Sequence, residues 1–258
     1  MPAMALRPLS LGEIIDTSFQ VYRRHFGTLA VVVLVCYGIP TLLQVFVNTS
    51  GGAREHPVLE LGYLVLVTML GAVATGATVF VVSEAYLGRT ITAQEALARA
   101  APYLWRLVLS AILFGLLLII GFIFFIVPSI VFACGFALVW PALVLESLPS
   151  ATAGLRRSWQ LTRGAKWKVL GLWALLFLIL LLPLLAVGIV IGVAGAIFAA
   201  TGAQPAGAVV VASVVLTSLV QLAIYPLYYC ALTIIYYDLR VRREGFDLEL
   251  LASTLQVA

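Results

Sequence analysis

The sequence contains little charge. Asp, Glu, Lys and Arg make up only 10% of its 258 residues, and hydrophobic residues make up 63%. A soluble domain needs roughly a quarter of its residues charged to face water. Two stretches, 107–145 and 169–237, contain no Asp, Glu, Lys, Arg or His. Because about 20 apolar helical residues cross the hydrocarbon core of a bilayer, the composition excludes a soluble protein and predicts an all-α membrane protein.

Residues for metal, redox or hydrolytic chemistry are also scarce. The three cysteines, Cys36, Cys134 and Cys230, lie far apart inside apolar stretches, and the chain has two histidines, His25 and His56. This pattern excludes a disulfide framework and supplies no metal-binding cluster. The sequence also lacks a glycine-rich phosphate loop and a zinc-protease motif. We expect no enzymatic activity, no cofactor and no nucleic-acid partner.

The apolar stretches predict six transmembrane helices in a single polytopic domain, 1–258. A tight turn is expected at Val127-Pro128-Ser129, inside the first uncharged stretch, and another near residues 201–205, inside the second. The predicted spans are 27–47, 61–83, 107–126, 129–146, 170–199 and 209–237.

The positions of the basic residues predict the orientation. With six spans, every one of the 15 Lys and Arg residues except Arg54 falls on one side of the membrane. The positive-inside rule then places both termini in the cytoplasm. A seventh span within 169–237 would move the arginines of the C-terminal tail to the outside, which favours six spans.

An amphipathic segment precedes spans 1, 3 and 5. Ser10-x-x-Glu13 and Thr92-x-x-Glu95 match the capping box that starts a helix, and Glu95 precedes Arg99 by four residues, as in a helix ion pair. The order of one interfacial helix and two spans occurs three times, which suggests repeat units 10–85, 92–146 and 150–238. The alternative is the ordinary alternation of loops and hairpins in any multi-span protein.

The second span of each unit ends at an acidic residue, namely Glu84, Glu146 or Asp238. Structural ion pairing with basic residues of the interfacial segments is the favoured interpretation. The alternative is a cation or proton path, because ionisable groups inside a membrane are usually functional.

A basic segment before span 5 is the strongest candidate binding site. Its cations could bind anionic headgroups or a protein partner, because each gains about 1 kcal/mol near anionic lipid. The alternative is a topology anchor at the membrane surface. The candidate residues are Arg156, Arg157, Trp159, Arg163, Lys166, Trp167 and Lys168.

Several features inside the spans allow either packing or function. Gly188-x-x-x-Gly192 permits close helix contact, within the bundle or between two copies. Four prolines are expected to interrupt helices, and two polar patches are expected to bond to neighbouring helices or to line a substrate pocket. The prolines are Pro40, Pro141, Pro183 and Pro226, and the patches are Thr68, Thr75 and Thr78 on span 2 and Thr217, Ser218 and Gln221 on span 6.

Three motifs together bracket nearly the whole chain, namely 6–26, which begins LRPLSLGEIID and ends YRRHF, 153–164 (AGLRRSWQLTRG) and 236–248 (YYDLRVRREGFDL). They resemble motifs of a bacterial membrane-protein family, common in actinobacteria, that is labelled glycerophosphoryl diester phosphodiesterase membrane domain. The resemblance implies a six-helix domain in the bacterial plasma membrane. It implies no activity, since the family name comes from a catalytic domain fused to some members, and the paired histidines and metal ligands of that domain are absent here.

Two functions remain open from the sequence. The first is a non-enzymatic membrane module that interacts with lipids, anionic lipids among them, or anchors and regulates a partner. The second is a small transporter or channel. A module predicts no continuous polar path, whereas a transporter predicts that the acidic residues and polar patches share one cavity. The sequence does not predict the ligand, the protein partner or the oligomeric state.

Overall fold

A computed structural model describes residues 7–50, 56–201 and 207–246. Within these ranges the chain forms ten α-helices and one 3-10 turn, and it forms no strand. The helices are α1 (Leu11–Arg24), α2 (Phe26–Thr49), α3 (Pro57–Tyr86), α4 (Ala93–Ala100), α5 (Leu104–Phe124), α6 (Ile126–Phe136), α7 (Val139–Leu145), α8 (Ala151–Thr162), α9 (Lys166–Thr201) and α10 (Gly207–Glu244).

Six helical stretches of the described chain are long and apolar enough to cross a membrane. They are Phe26–Thr49, Pro57–Tyr86, Ala93–Phe124, Ile126–Leu145, Lys166–Phe198 and Val211–Glu244. The predicted class is therefore confirmed, and the protein is an all-α membrane protein. Arg54, the turn residues 202–205 and the end of the C-terminal motif, 247–248, lie outside the described residues.

The three predicted amphipathic helices are α1, α4 and α8, and each begins at a hydroxyl cap. The side chains of Ser10 and Thr92 accept hydrogen bonds from the backbone N–H of Glu13 and Glu95, which complete both predicted capping boxes. Ser150 accepts in the same way from the N–H of Ala153. The backbone N–H of Ser10, followed by the Arg7 side chain, lowers the pKa of Glu13 to about 2.

The turn between spans 3 and 4 lies earlier than predicted. Phe125, in extended backbone, separates α5 from α6, so Pro128 lies within the first turn of α6. Proline is tolerated there because the N–H it lacks has no partner inside the helix. The absence of a side chain at Gly121 permits this close turn, because a Cβ there would lie 2.8 Å from the Cα of Ser129.

Span 4 consists of two helices, and only one of the four prolines lies next to a helix break. Pro141 cannot donate a hydrogen bond to the carbonyl of residue 137, and the chain leaves the helix at 137–138. The N–H of Leu138 donates instead to the Ser158 hydroxyl at 3.1 Å. Pro40, Pro183 and Pro226 lie inside continuous helices, so the interruptions expected there are absent.

The helix contacts follow one cyclic pattern. α4 contacts α2 and α3, α8 contacts α5, α6 and α7, and α1 contacts α9 and α10. The first span of each expected unit also contacts the second span of the preceding unit, in the pairs α5 with α3, α9 with α6, and α2 with α10. In the centre, α3, α7 and α10 contact one another. In addition, α1 contacts α2 and α3. The division into three repeat units stays a prediction.

The most buried side chains lie towards the end of the bundle where α1, α4 and α8 meet the spans. We call this end the charged end, because the three acidic residues that end the second spans also lie there. Buried segments at 74–79, 137–139 and 229–239 supply much of this core. The charged end is therefore the best-packed part of the molecule, and it positions the candidate site.

The packing expected for Gly188 and Gly192 is not found. Both residues are exposed, and a Cβ added to either would meet nothing within 4 Å. Only 6% of the most apolar window of this span is buried. Little of the described chain covers this part of α9, so the glycines do not pack against another described helix, and contact between two copies stays a prediction.

Candidate functional site

The first acidic residue, Glu84, binds two arginines that follow it in the chain. Its carboxylate lies 3.0 Å from Nη1 of Arg99 on α4 and 3.7 Å from Nε of Arg89. The helix ion pair predicted between Glu95 and Arg99 is therefore not formed. The Glu95 carboxylate is instead occupied by the N–H and hydroxyl of Thr92 in the capping box.

The second acidic residue, Glu146, shares one arginine with a carboxylate of the last helix. Arg157 Nε donates to Glu146 at 2.7 Å, and its two terminal nitrogens donate to the two oxygens of Glu244 at 2.6 and 2.7 Å. The Tyr236 hydroxyl also donates to Glu146, at 2.9 Å. Glu244, followed by Glu146, raises the pKa of Arg157. Arg157 therefore connects the start of unit three to the ends of units two and three.

The third acidic residue, Asp238, has a fully buried side chain, with an exposed fraction of 0%. It accepts hydrogen bonds from Lys168 Nζ at 2.5 Å, from Arg242 Nε at 3.0 Å and from the backbone N–H of Leu9 at 2.7 Å. The carbonyl of Leu9 accepts from the same two cations. A buried carboxylate requires such partners, because an uncompensated buried charge is strongly destabilising.

The ion pairing predicted for the three acidic residues is thus present. Glu84 and Glu146 bind arginines of α4 and α8 as expected, whereas Asp238 binds Lys168, Arg242 and the segment that precedes α1. Within the described ranges, no three His, Cys, Asp or Glu side chains come together in a way that could hold a metal ion.

The basic candidate segment separates into an inward part and an outward part. Arg157 and Lys168 are held by the carboxylates described above. Arg156 and Arg163 are exposed and form no ion pair with any residue that the structure describes. The Trp167 side chain is 83% exposed. The structure therefore leaves two arginines and one tryptophan of the seven candidates directed outwards.

Helix α8 produces this division because one of its faces is buried. Ser158 and Thr162 both donate hydrogen bonds to the carbonyl of Gly135, at 2.9 and 3.0 Å. Ala151, Gly154, Leu155 and Leu161 complete the buried face. Residues on the opposite face of an α-helix must then point away from the bundle, and Arg156 and Gln160 are exposed there.

Trp159 lies beside Arg156 and forms part of the aromatic floor of an open groove. Its ring centroid lies 5.2 Å from that of Phe136 and 6.3 Å from that of Phe132, and Lys166 Nζ lies 3.5 Å from the centroid. Phe132, Phe136, Arg156, Trp159 and Gln160 line the groove, whose volume is about 440 Å³. An aromatic floor thus lies directly beside a guanidinium group.

A second set of residues escaped the sequence analysis. Tyr37, Tyr63, Tyr225 and Tyr228 come from three spans and line one cavity. Two polar residues predicted as part of a patch, Ser218 and Gln221, also line this cavity, whereas Thr217 is exposed and donates to the carbonyl of Ser213. One feature of the sequence could have indicated this cavity. Tyrosine is enriched at membrane interfaces, whereas several of these tyrosines lie far from the helix ends.

Comparison of the chain with protein-family models, with curated proteins and with solved structures finds no match. The resemblance of the three sequence motifs to a membrane-domain family therefore stays a prediction.

Proposed function

We propose that this protein is a non-enzymatic membrane module that binds anionic lipid headgroups at the junction of α8 and α9. The observation that carries the proposal is the position of exposed Arg156 beside the groove formed by Phe132, Phe136 and Trp159. Arg163 and Trp167 extend this outward surface. A guanidinium binds phosphate oxygens in a fixed, bidentate geometry, and the aromatic floor suits the first carbons of an acyl chain.

Chemistry and position support the same assignment. Tryptophan and arginine side chains next to a span lie at the headgroup level of a bilayer. The two arginines have no carboxylate to neutralise them in the described chain, whereas Arg157 and Lys168 do. With both termini in the cytoplasm, the site faces the inner leaflet. In the bacterial plasma membrane implied by the resemblance, we expect anionic phospholipids there.

The arrangement of the polar groups favours a module over a transporter. Glu84, Glu146 and Asp238 are paired at the charged end, whereas Ser218 and Gln221 lie about four helical turns or more from Asp238 along α10. Between them, α10 supplies fully buried apolar residues, including Cys230, Ala231, Leu232, Ile234 and Ile235, and the buried Thr233 hydroxyl donates to the carbonyl of Tyr229 in its own helix. The polar patches and acidic residues thus occupy separate regions, which is the arrangement expected without a continuous path.

Replacing both Arg156 and Arg163 with Gln tests the proposal. The protein is reconstituted in nanodiscs containing phosphatidylglycerol and phosphatidylcholine, released in mild detergent and analysed by native mass spectrometry for retained lipid. At about 1 kcal/mol per cation, the double variant should retain phosphatidylglycerol roughly thirty-fold less strongly.

The matched control is Arg23→Gln with Arg24→Gln, which removes the same charge from exposed residues of α1. This control should retain phosphatidylglycerol like the unmodified protein. If both double variants lost phosphatidylglycerol equally, its retention would reflect general electrostatic attraction and not binding at α8. If the α8 variant retained phosphatidylglycerol unchanged, the result would contradict the proposed lipid site. Binding of a protein partner would then be the remaining interpretation of this surface.

A further inference from the structure

A cavity of about 350 Å³ lies among α2, α3 and α10. This volume lies within the range of small-molecule sites, roughly 300–1,000 Å³. Its polar lining comes from Tyr37 and Thr41 on α2, Tyr63 on α3, and Ser218, Gln221, Tyr225 and Tyr228 on α10. Tyr37 lies halfway along the 24-residue helix α2. The cavity therefore lies deep in the membrane, away from the ion pairs of the charged end.

Part of the lining is fixed by hydrogen bonds within the protein. The Tyr225 hydroxyl donates to the carbonyl of Gly71 at 3.0 Å and lies 2.5 Å from the Thr75 hydroxyl. The hydroxyls of Thr41 and Ser218 lie 3.4 Å apart across the boundary between α2 and α10. The Tyr37 and Tyr225 rings meet edge to face, with centroids 5.5 Å apart. These contacts make the cavity a formed site with a defined wall.

Other polar groups of the lining have no such partner. The side chains of Tyr63, Tyr228 and Gln221 form no hydrogen bond with the residues that the structure describes. Two hydroxyls and one amide are thus available in the same cavity. In the hydrocarbon region no bulk water can satisfy these groups, and leaving them unpaired is costly. These groups therefore favour an occupant that supplies hydrogen-bond partners.

The lining restricts the chemistry of that occupant. The described residues that line it include no Asp, Glu, Lys, Arg or His, so a charged group placed there would find no counter-ion. Tyrosine hydroxyls and the glutamine amide both donate and accept hydrogen bonds, and they suit hydroxyl or carbonyl oxygens. The aromatic rings and Val33, Val67 and Ile224 supply apolar contact. Gln221 is exposed and places one edge of the cavity at the outer surface of the bundle.

We infer that this cavity is a binding site for an uncharged amphiphile whose polar end carries hydroxyl or carbonyl oxygens, such as a diacylglycerol, and that the ligand reaches it from the bilayer. The occupant's oxygens bind Tyr63, Gln221 and Tyr228, and its apolar part extends past the exposed edge. This site is separate from the anionic-lipid surface proposed on α8 and does not depend on it.

Dioleoylglycerol is the probe, and dioleoyl phosphatidic acid is the charged comparison with the same acyl chains. The protein is reconstituted in phosphatidylcholine nanodiscs that contain equal mole fractions of both, released in mild detergent and analysed by native mass spectrometry. We expect one retained dioleoylglycerol. Gln221→Leu combined with Tyr228→Phe should retain it roughly tenfold less, because two hydrogen-bonding groups are lost with little change in shape.

Two further variants keep the test decisive. Thr217→Val lies on the same helix but outside the lining, and it should retain dioleoylglycerol like the unmodified protein. Tyr63→Phe removes one hydroxyl from another helix and should lower retention several-fold. Equal retention of dioleoylglycerol by the double variant and the unmodified protein would overturn the inference. No retention by the unmodified protein, or a parallel fall in phosphatidic acid, would overturn it as well, whereas phosphatidic acid bound at α8 should not respond to these substitutions.

Discussion

Two threonines one helical turn apart on α3 are buried in different states. The Thr75 hydroxyl lies 2.5 Å from the hydroxyl of Tyr225 and 3.3 Å from that of Tyr229. The Thr78 hydroxyl is buried and has no hydrogen-bond partner within the described ranges. A buried hydrogen bond contributes about 1 kcal/mol to stability, and an unpaired buried group costs about as much or more. The same substitution should therefore have opposite effects at the two positions.

We expect Thr78→Val to raise the free energy of unfolding by about 1 kcal/mol, because a methyl replaces a hydroxyl that gains nothing from burial. Thr75→Val should lower it by about 2 kcal/mol, because the Tyr225 and Tyr229 hydroxyls each lose the Thr75 hydroxyl as a hydrogen-bond partner. Unfolding in mixed micelles with increasing SDS measures both. Equal shifts in one direction would contradict the assigned hydrogen bonds.

For single residues, the sequence predicts the helix and its polar face better than it predicts the hydrogen-bond partners. Thr68, Thr75 and Thr78 were expected to form one polar patch on span 2, and all three lie in α3. Yet Thr68 only donates to the carbonyl of its own helix, at Leu64. Thr75 donates to Gly71 on its own helix, but its tyrosine partners lie on α10, about 150 residues away in the sequence. Periodicity within one helix cannot specify which remote helix covers a given face.

Among the elements, α8 depends on close contact with the break between α6 and α7. A Cβ added to Gly135 would lie 2.4 Å from two ring atoms of Trp159, which is closer than atoms can approach. We expect Gly135→Ala to displace Trp159 from the groove and to lower the free energy of unfolding by about 1–3 kcal/mol. Retention of phosphatidylglycerol should fall as well, because the aromatic floor of the proposed site moves.

Gly115→Ala is the matched control for this prediction. Gly115 lies on α5, and a Cβ added there would meet nothing within 4 Å. Alanine in a helix interior is favoured over glycine by about 0.5–1 kcal/mol, so this variant should be at least as stable as the unmodified protein. Unfolding curves and retained phosphatidylglycerol are compared for both variants. If Gly135→Ala behaved like Gly115→Ala, Trp159 would not be fixed in the observed position.

The elements themselves were largely predictable, because their signals are local. A capping box depends on residues three apart, and a span depends on about 20 consecutive apolar residues. The division of span 4 was harder to predict. Pro141 leaves the carbonyl of residue 137 without its partner in the helix. The N–H of Leu138, at the same break, donates to Ser158 on α8. A proline interrupts a helix where a neighbour can bind the freed groups, and that neighbour belongs to another element.

On the scale of the whole molecule, the acid that ends each expected unit binds the start of the next. Glu84 binds Arg99 on α4, and Glu146 binds Arg157 on α8. Asp238, at the end of the third unit, binds the backbone of Leu9 just before α1. The spacing of the acids suggested a repeat, but it could not show that the third unit closes on the first.

This closure makes the segment before α1 important for the stability of the whole bundle. Terminal segments usually tolerate truncation, but Leu9 is buried and its peptide groups bind Asp238, Lys168 and Arg242. A variant whose first residue is Ser10, once the initiating Met has been removed, loses these hydrogen bonds to charged groups. Its free energy of unfolding should fall by about 3 kcal/mol.

A variant in which Arg7 directly follows the initiating Met is the control, because it keeps Leu9 and the ion pair between Arg7 and Glu13. Thermal unfolding in detergent should place this control close to the full chain and the shorter variant well below both. Asp238→Ala in the full chain should be at least as destabilising as the truncation to Ser10, since it leaves Lys168 without its carboxylate. Equal unfolding temperatures for the two truncations would show that the contact between Leu9 and Asp238 does not stabilise the bundle.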